Sequence, residues 1–209
     1  MANKHQISDE LLAAYLEGNA NKNEVAEVLN ALGADAELRE TLDIALQLDD
    51  EDLPVMQMAA EGNRNLCDVQ CEAYVLKRSG IDCNVDDLLE VAKENHWIRR
   101  AGTPLNCIGN LIEHMGKSVL RKYDATIEDI KDALNRGKDV IVAVDSDKLY
   151  PERPDEEDAT NHAVVVTGIN INAGLITIYD PENINEVDIN ISLFTSAWQE
   201  SNCYMVKIK

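Results

Sequence analysis

The chain predicts an α+β fold preceded by a small all-helical module, and three observations carry that reading. Apolar residues recur at helical spacing through most of the first 135 positions. The period then changes to short β-branched runs of strand length. An acidic stretch, Asp49-Asp50-Glu51-Asp52, followed by Pro54, divides a first segment (1–50) from the remainder (53–209). Helices first and an antiparallel sheet second is the α+β order. With 209 residues, 45% hydrophobic and 28% charged, the chain is long enough to bury a core.

The first segment reads as three short helices. Ser8 is a candidate N-cap, with Asp9 and Glu10 in the first turn and Leu11, Leu12, Tyr15 and Leu16 on one face. Val25, Val28, Leu29 and Leu32 mark a second helix that ends at Gly33, and Asp35 can cap a third carrying Leu38, Leu42, Leu46 and Leu48. In the larger segment, helices are expected from about Cys67 to Arg78, ended by Ser79-Gly80, and from Val85 to about Asn95. A third should open at Gly102-Thr103-Pro104, with Thr103 as cap and Pro104 at the first helical position. A fourth follows Thr126 and stops at Gly137. Strands are expected at Val140–Val144, Ala163–Ile169, Leu175–Tyr179, Glu186–Ile191 and Tyr204–Ile208, with a hairpin turn over Asn170–Gly174 and a short helix around Phe194–Trp198.

Charge and apolar run length exclude whole classes of function. Nineteen Lys and Arg against thirty-nine Asp and Glu give a formal net charge of −20, and no basic cluster interrupts it. Nucleic-acid backbones and anionic lipid surfaces would repel such a chain. The longest apolar runs, such as Val140–Val144, fall far short of the roughly 20 residues that span a bilayer. The first residues lack the apolar stretch of a secretory signal. Five scattered cysteines do not form a disulfide framework. A cytoplasmic protein with reduced thiols is expected, binding neither nucleic acid nor membrane.

One constellation could carry chemistry. Cys67 stands where a long helix begins, and a sulfur there feels the positive end of the helix dipole, whereas the adjacent Asp68 acts in the opposite sense. A cysteine nucleophile needs a base and a group that orients it. Of four histidines, His5 is in the N-terminal tail, His96 ends a helix, His114 lies on one, and His162 opens a strand. If the hairpin turns near Ile171 and Asn172, Asp180 falls within about a residue of a cross-strand neighbour of His162. Cysteine, histidine and aspartate in that chain order, the last two on adjacent strands, form the papain-type arrangement.

The stretch Cys67-Asp68-Val69-Gln70-Cys71-Glu72-Ala73-Tyr74-Val75-Leu76-Lys77-Arg78-Ser79-Gly80 resembles the nucleophile helix of papain-like peptidases related to bacteriocin double-glycine leader peptidases. Asn161–Gly168 resembles their histidine strand and Tyr179-Asp180-Pro181 their acid motif. Gly102-Thr103, Ala133–Asp145 and Phe194–Trp198 are similar to further segments of bacterial members, so the resemblance spans about residues 53–209. It implies a papain-like fold, a thiol peptidase acting on a peptide or protein, and an upstream glutamine helping to form the oxyanion hole. Gln57 is the best match, at a longer interval from the cysteine than the family uses, with Asn63 or Asn65 as alternatives. Asp68 replaces the family's common glycine. Leader cleavage itself, usually attached to a transporter, is not carried over.

Rival readings stand beside this one. Cys71, one turn beyond Cys67, is the alternative nucleophile; Cys71, Cys83, Cys107 and Cys203 otherwise read as structural. Cys67 and Cys71 could ligate zinc, but no second pair at ligand spacing accompanies them, and no metal or cofactor is expected. The acidic run Pro151–Asp158 reads as a solvated loop, or as a lid favouring basic substrates. For function, a Cys-His-Asp peptidase competes with an inactive papain-like binding module, whose N-terminal helices would dock on a protein partner. A transglutaminase-like amine acyltransferase is a third reading.

Overall fold

In a computed structural model, the structure describes residues 7–16, 22–34, 38, 66–98, 102–152 and 162–209. The chain divides into two compact units, Met1–Ala59 and Ala60–Lys209. In the first, α1 (Asp9–Leu16) and α2 (Lys22–Ala34) pack together. The Ser8 hydroxyl accepts from the Leu11 N–H, the expected capping bond, and Val28, Ala31 and Leu32 of α2 are buried. The third helix expected in this segment lies outside the described residues, apart from Leu38.

The second unit runs α3 (Cys67–Arg78), α4 (Val85–Glu94), a 3-10 turn (Leu105–Cys107), α5 (Asn110–His114), β1 (Val119–Lys122), α6 (Ile127–Asn135), β2 (Val140–Val144) and α7 (Ser146–Leu149). It continues with β3 (His162–Asn170), β4 (Leu175–Asp180), β5 (Asn185–Asn190), α8 (Ile191–Trp198), a 3-10 turn (Gln199–Ser201) and β6 (Met205–Ile208). The six strands form one antiparallel sheet in the order β1-β6-β2-β3-β4-β5.

Strand alternation splits the core into two layers. Ile141, Ala143, Ala163, Val165, Val206 and Ile208 face Val69, Ala73, Leu76, Leu88 and Ile112 of α3, α4 and α5. Val140, Val142, Val144, Val164, Val166, Ile176 and Ile178 face Ile130, Phe194, Ala197 and Trp198 of α6 and α8. Strand β2 is buried at all five positions because both layers cover it, which explains its unbroken apolar sequence.

Local chemistry sets the helix starts. Thr126 and Asp129 exchange side-chain-to-backbone hydrogen bonds in a capping box at α6, and the Asn190 side chain accepts from the Ser192 N–H at α8. Gly102–Pro104 departs from expectation. Pro104 holds an extended backbone (ψ 144°) and is followed by one 3-10 turn. Gly109 then adopts φ +91°, so α5 begins only at Asn110. Thr103 therefore caps no helix. The anchor is tertiary: the buried Glu72 carboxyl accepts from the Gly109 N–H (3.0 Å) and the Ile112 N–H (2.8 Å). Strand β1 and helix α7 were not anticipated, being only four residues each.

Candidate active site

Cys67 is the first residue of α3, and its cap position, Leu66, offers no side-chain hydrogen bond to the helix start. The thiol is half-buried. Buried contacts of Val69, Ala73, Val75 and Leu76 fix the helix against the sheet, and the Cys71 thiol donates to the Ala163 carbonyl (3.3 Å). That bond ties α3 to the residue next to His162.

His162 opens β3, pairs with Val144 of β2, and is 5% exposed. Its Nε2 lies 3.0 Å from Asp180 Oδ1, and the Cys67 sulfur is near enough to raise the ionisation of the same ring. With Nε2 engaged by the carboxylate, Nδ1 is the nitrogen left for sulfur. The strand register differs from the sequence expectation. The four-residue turn at 171–174 and a bulge between Val166 and Gly168 bring Val165 opposite Tyr179, so that in continued register Asp180 falls level with Val164, two residues from the position across from His162 rather than about one. His162 and Asp180 nonetheless meet, because His162 and Val164 share a strand face.

Asp180 is fully buried, and four donors surround its carboxylate. Oδ1 takes His162 and the Glu182 N–H (2.9 Å); Oδ2 takes the Tyr150 hydroxyl (2.5 Å) and the Asn183 amide (3.0 Å). Burial opposes its charge, but the hydrogen bond and charge of His162, then Tyr150 and the Glu182 N–H, hold the carboxyl down at about 2. Burial likewise disfavours a charged His162, yet the bonds to Asp180 and Cys67 outweigh it and push the imidazole up to about 10.

Beneath Cys67 lies an acid pair whose role the sequence did not disclose. Asp68 and Glu72, one helical turn apart, are 4% and 1% exposed. Burial raises Asp68 to about 6, against the lowering contacts of Glu72, Thr103 and Arg121. Burial, then the Asp68 charge, pushes Glu72 well up. The i, i+4 spacing of two acids on an otherwise apolar face was the available signal.

Cys71 and Cys107 are buried, Cys83 and Cys203 half-buried, and none of the four is in a disulfide. Burial, followed by the charges of Cys67 and Asp68, pushes the Cys71 thiol well up. His114 is exposed, with its ring edge-on to Trp97 at 6.1 Å, and His96 occupies a turn at φ +56°. Gln57, Asn63, Asn65 and most of the Pro151–Asp158 run lie outside the described residues. Among the described residues no group of three or more His, Cys, Asp or Glu is placed to hold a metal ion, and no helix is long and apolar enough to cross a membrane.

A cysteine at a helix start, a histidine at a strand start and an aspartate on the next strand, on an antiparallel sheet covered by helices, define the papain-like class of folds. The chain belongs to the Peptidase_C39 like family, which matches residues 47–206. Among solved structures, it is similar to a C39-like peptidase from Bacillus anthracis, with a TM-score of 0.54 and 15% identity over 70% of this chain and 89% of that one. It is also similar to the peptidase domain of Streptococcus ComA, a bi-functional ABC transporter involved in a quorum-sensing pathway, with a TM-score of 0.50 and 18% identity over 71% of this chain and 91% of that one. At those identities the likeness concerns the fold. No curated protein matches the chain.

Proposed function

We propose that the protein is a cysteine peptidase that cleaves a peptide or amide bond in a peptide or protein substrate. The carrying observation is the His162 ring, held by Asp180 Oδ1 at 3.0 Å, with Cys67 at the start of α3 near enough to raise the ring's ionisation. Cys67 gives its proton to His162 and attacks the carbonyl carbon, forming a tetrahedral oxyanion. His162 returns the proton to the leaving amine, which departs to leave a thioester, and water then hydrolyses the thioester with His162 as base. Asp180 holds the ring in orientation and stabilises its charged form.

The start of α3 supplies the Cys67 N–H to the oxyanion, with the side chain of Gln57 as the second donor, or of Asn63 or Asn65 in its place. The helices of residues 1–50 dock a protein partner, and the five thiols fit a reducing compartment such as the cytoplasm.

The test is alkylation by iodoacetamide at neutral pH, read by peptide mapping, together with turnover of a peptide library. Rapid, selective labelling of Cys67 and a loss of turnover of about 1,000-fold or more in Cys67→Ala are expected. An inert Cys67, or turnover unchanged by Cys67→Ala, would refute the reading and leave an inactive binding module. Adding a primary amine during turnover separates hydrolysis from acyl transfer, which would give an amide product.

A further inference from the structure

The sequence marks a cysteine, a histidine and an aspartate, but the geometry around Asp180 includes a fourth member. Tyr150 lies just beyond α7, twelve positions before His162 in the chain. Its hydroxyl donates to Asp180 Oδ2 at 2.5 Å, opposite the oxygen that holds His162. The phenol is held from behind. The Asp145 side chain caps α7 through the Asp147 and Lys148 N–H groups, and the Asp145 N–H is bonded to the Ala197 carbonyl of α8. Lys148 is paired with Glu200, and Leu149 is 1% exposed. The side chain that meets Asp180 is therefore carried on an immobilised turn.

We propose that Tyr150 is a positioning residue of the catalytic cluster: its hydroxyl, with the Asn183 amide, fixes the plane of the Asp180 carboxylate and moderates its basicity, so that Oδ1 is aimed at His162 Nε2. This rests on the reading of Cys67 and His162 as a catalytic pair. A carboxylate that donates part of its charge to two further hydrogen bonds stabilises the imidazolium less than one free to serve the histidine alone. Tyr150 thus lowers the ionisation of His162 from the value it would otherwise reach while holding the geometry. The titratable groups facing the pair are Cys67 and Cys71 from α3, Tyr150 beyond α7, Tyr179 of β4 and Glu182 of the following turn. Burial, then Asp180, keeps the Tyr150 phenol protonated well above its ordinary range.

The experiment is an NMR titration of the His162 ring in the full chain, wild type against Tyr150→Phe, paired with the iodoacetamide alkylation rate of Cys67. An upward shift of the His162 ionisation by about half a pH unit, with alkylation slowed about five-fold, is expected. An unshifted His162 overturns the proposal whatever the alkylation rate does, because loss of packing alone would not move the ring's proton affinity in that sense. Should Tyr150→Phe fail to fold, the wild-type phenol decides. A Tyr150 ring signal that stays un-ionised past about pH 11 supports the hydrogen bond to Asp180, and ordinary titration near about 10 overturns it. The catalytic-pair reading is judged separately. Carbamidomethylation of Cys67 in the wild type lowers the His162 ionisation if the two are paired and leaves it unmoved if they are not.

Discussion

His162 and Asp180 have opposite ionisation shifts because each stabilises the other's charge in a buried place, and the pH behaviour follows from that. With His162 raised to about 10 and Asp180 lowered to about 2, the charged pair persists across the neutral range. Replacing Asp180 by Asn removes the anion, so His162 should ionise at least one pH unit lower and the alkaline limb of the alkylation profile of Cys67 should move down with it. The sign is opposite for Asp68. Its folded-state value of about 6 exceeds 3.8, so its contribution is fully present at low pH and is lost as pH rises from about 4 through about 6. Thermal unfolding of Asp68→Asn should therefore vary less over that interval than wild type. The sequence made Cys67, His162 and Asp180 legible through helix start, strand start and Asp-Pro turn. It could not show that Asp68 points into the interior, or that Tyr150, thirty residues from Asp180 in the chain, would reach it, because both are facts of tertiary placement.

At the scale of elements, legibility followed the locality of the cause. Helix α6 was readable from both ends because Thr126, Asp129 and Gly137 are its own punctuation. The 102–114 stretch was misread because its organiser, Glu72, lies some forty residues away. Gly109 is the pivot there: at φ +91°, a Cβ would stand 2.9 Å from Val206 Cγ1 and would also strain the backbone. Gly109→Ala should cost about 1–3 kcal/mol by chemical denaturation, more than an ordinary helix-edge substitution. The β3–β4 register moved for an equally specific reason, the four-residue turn at 171–174, and the Val166/Gly168 bulge then took back one residue of that shift; no pattern of apolar residues announces either. Within the central sheet, Ile141→Ala at a fully buried position of β2 should lose about 2–5 kcal/mol, since neither layer can collapse into the space.

Over the molecule as a whole, a formal charge of −20 on 209 residues acts against compaction. Raising ionic strength from about 0.02 M to about 0.5 M shortens the Debye length to a few ångströms (about 4 Å) and screens that repulsion, so the midpoint of thermal unfolding should rise, with the buried His162–Asp180 bond little affected. The two-layer plan has a spectroscopic consequence. The chain has two tryptophans, and the sheet separates them: Trp97 packs on the α3 side, while Trp198 is buried on the α8 side with its indole N–H on the Tyr204 carbonyl. Each layer thus contains its own fluorophore, and emission from Trp97→Phe reports the far layer alone, so a melt in which the two halves part company would be visible as a curve that no longer overlays circular dichroism.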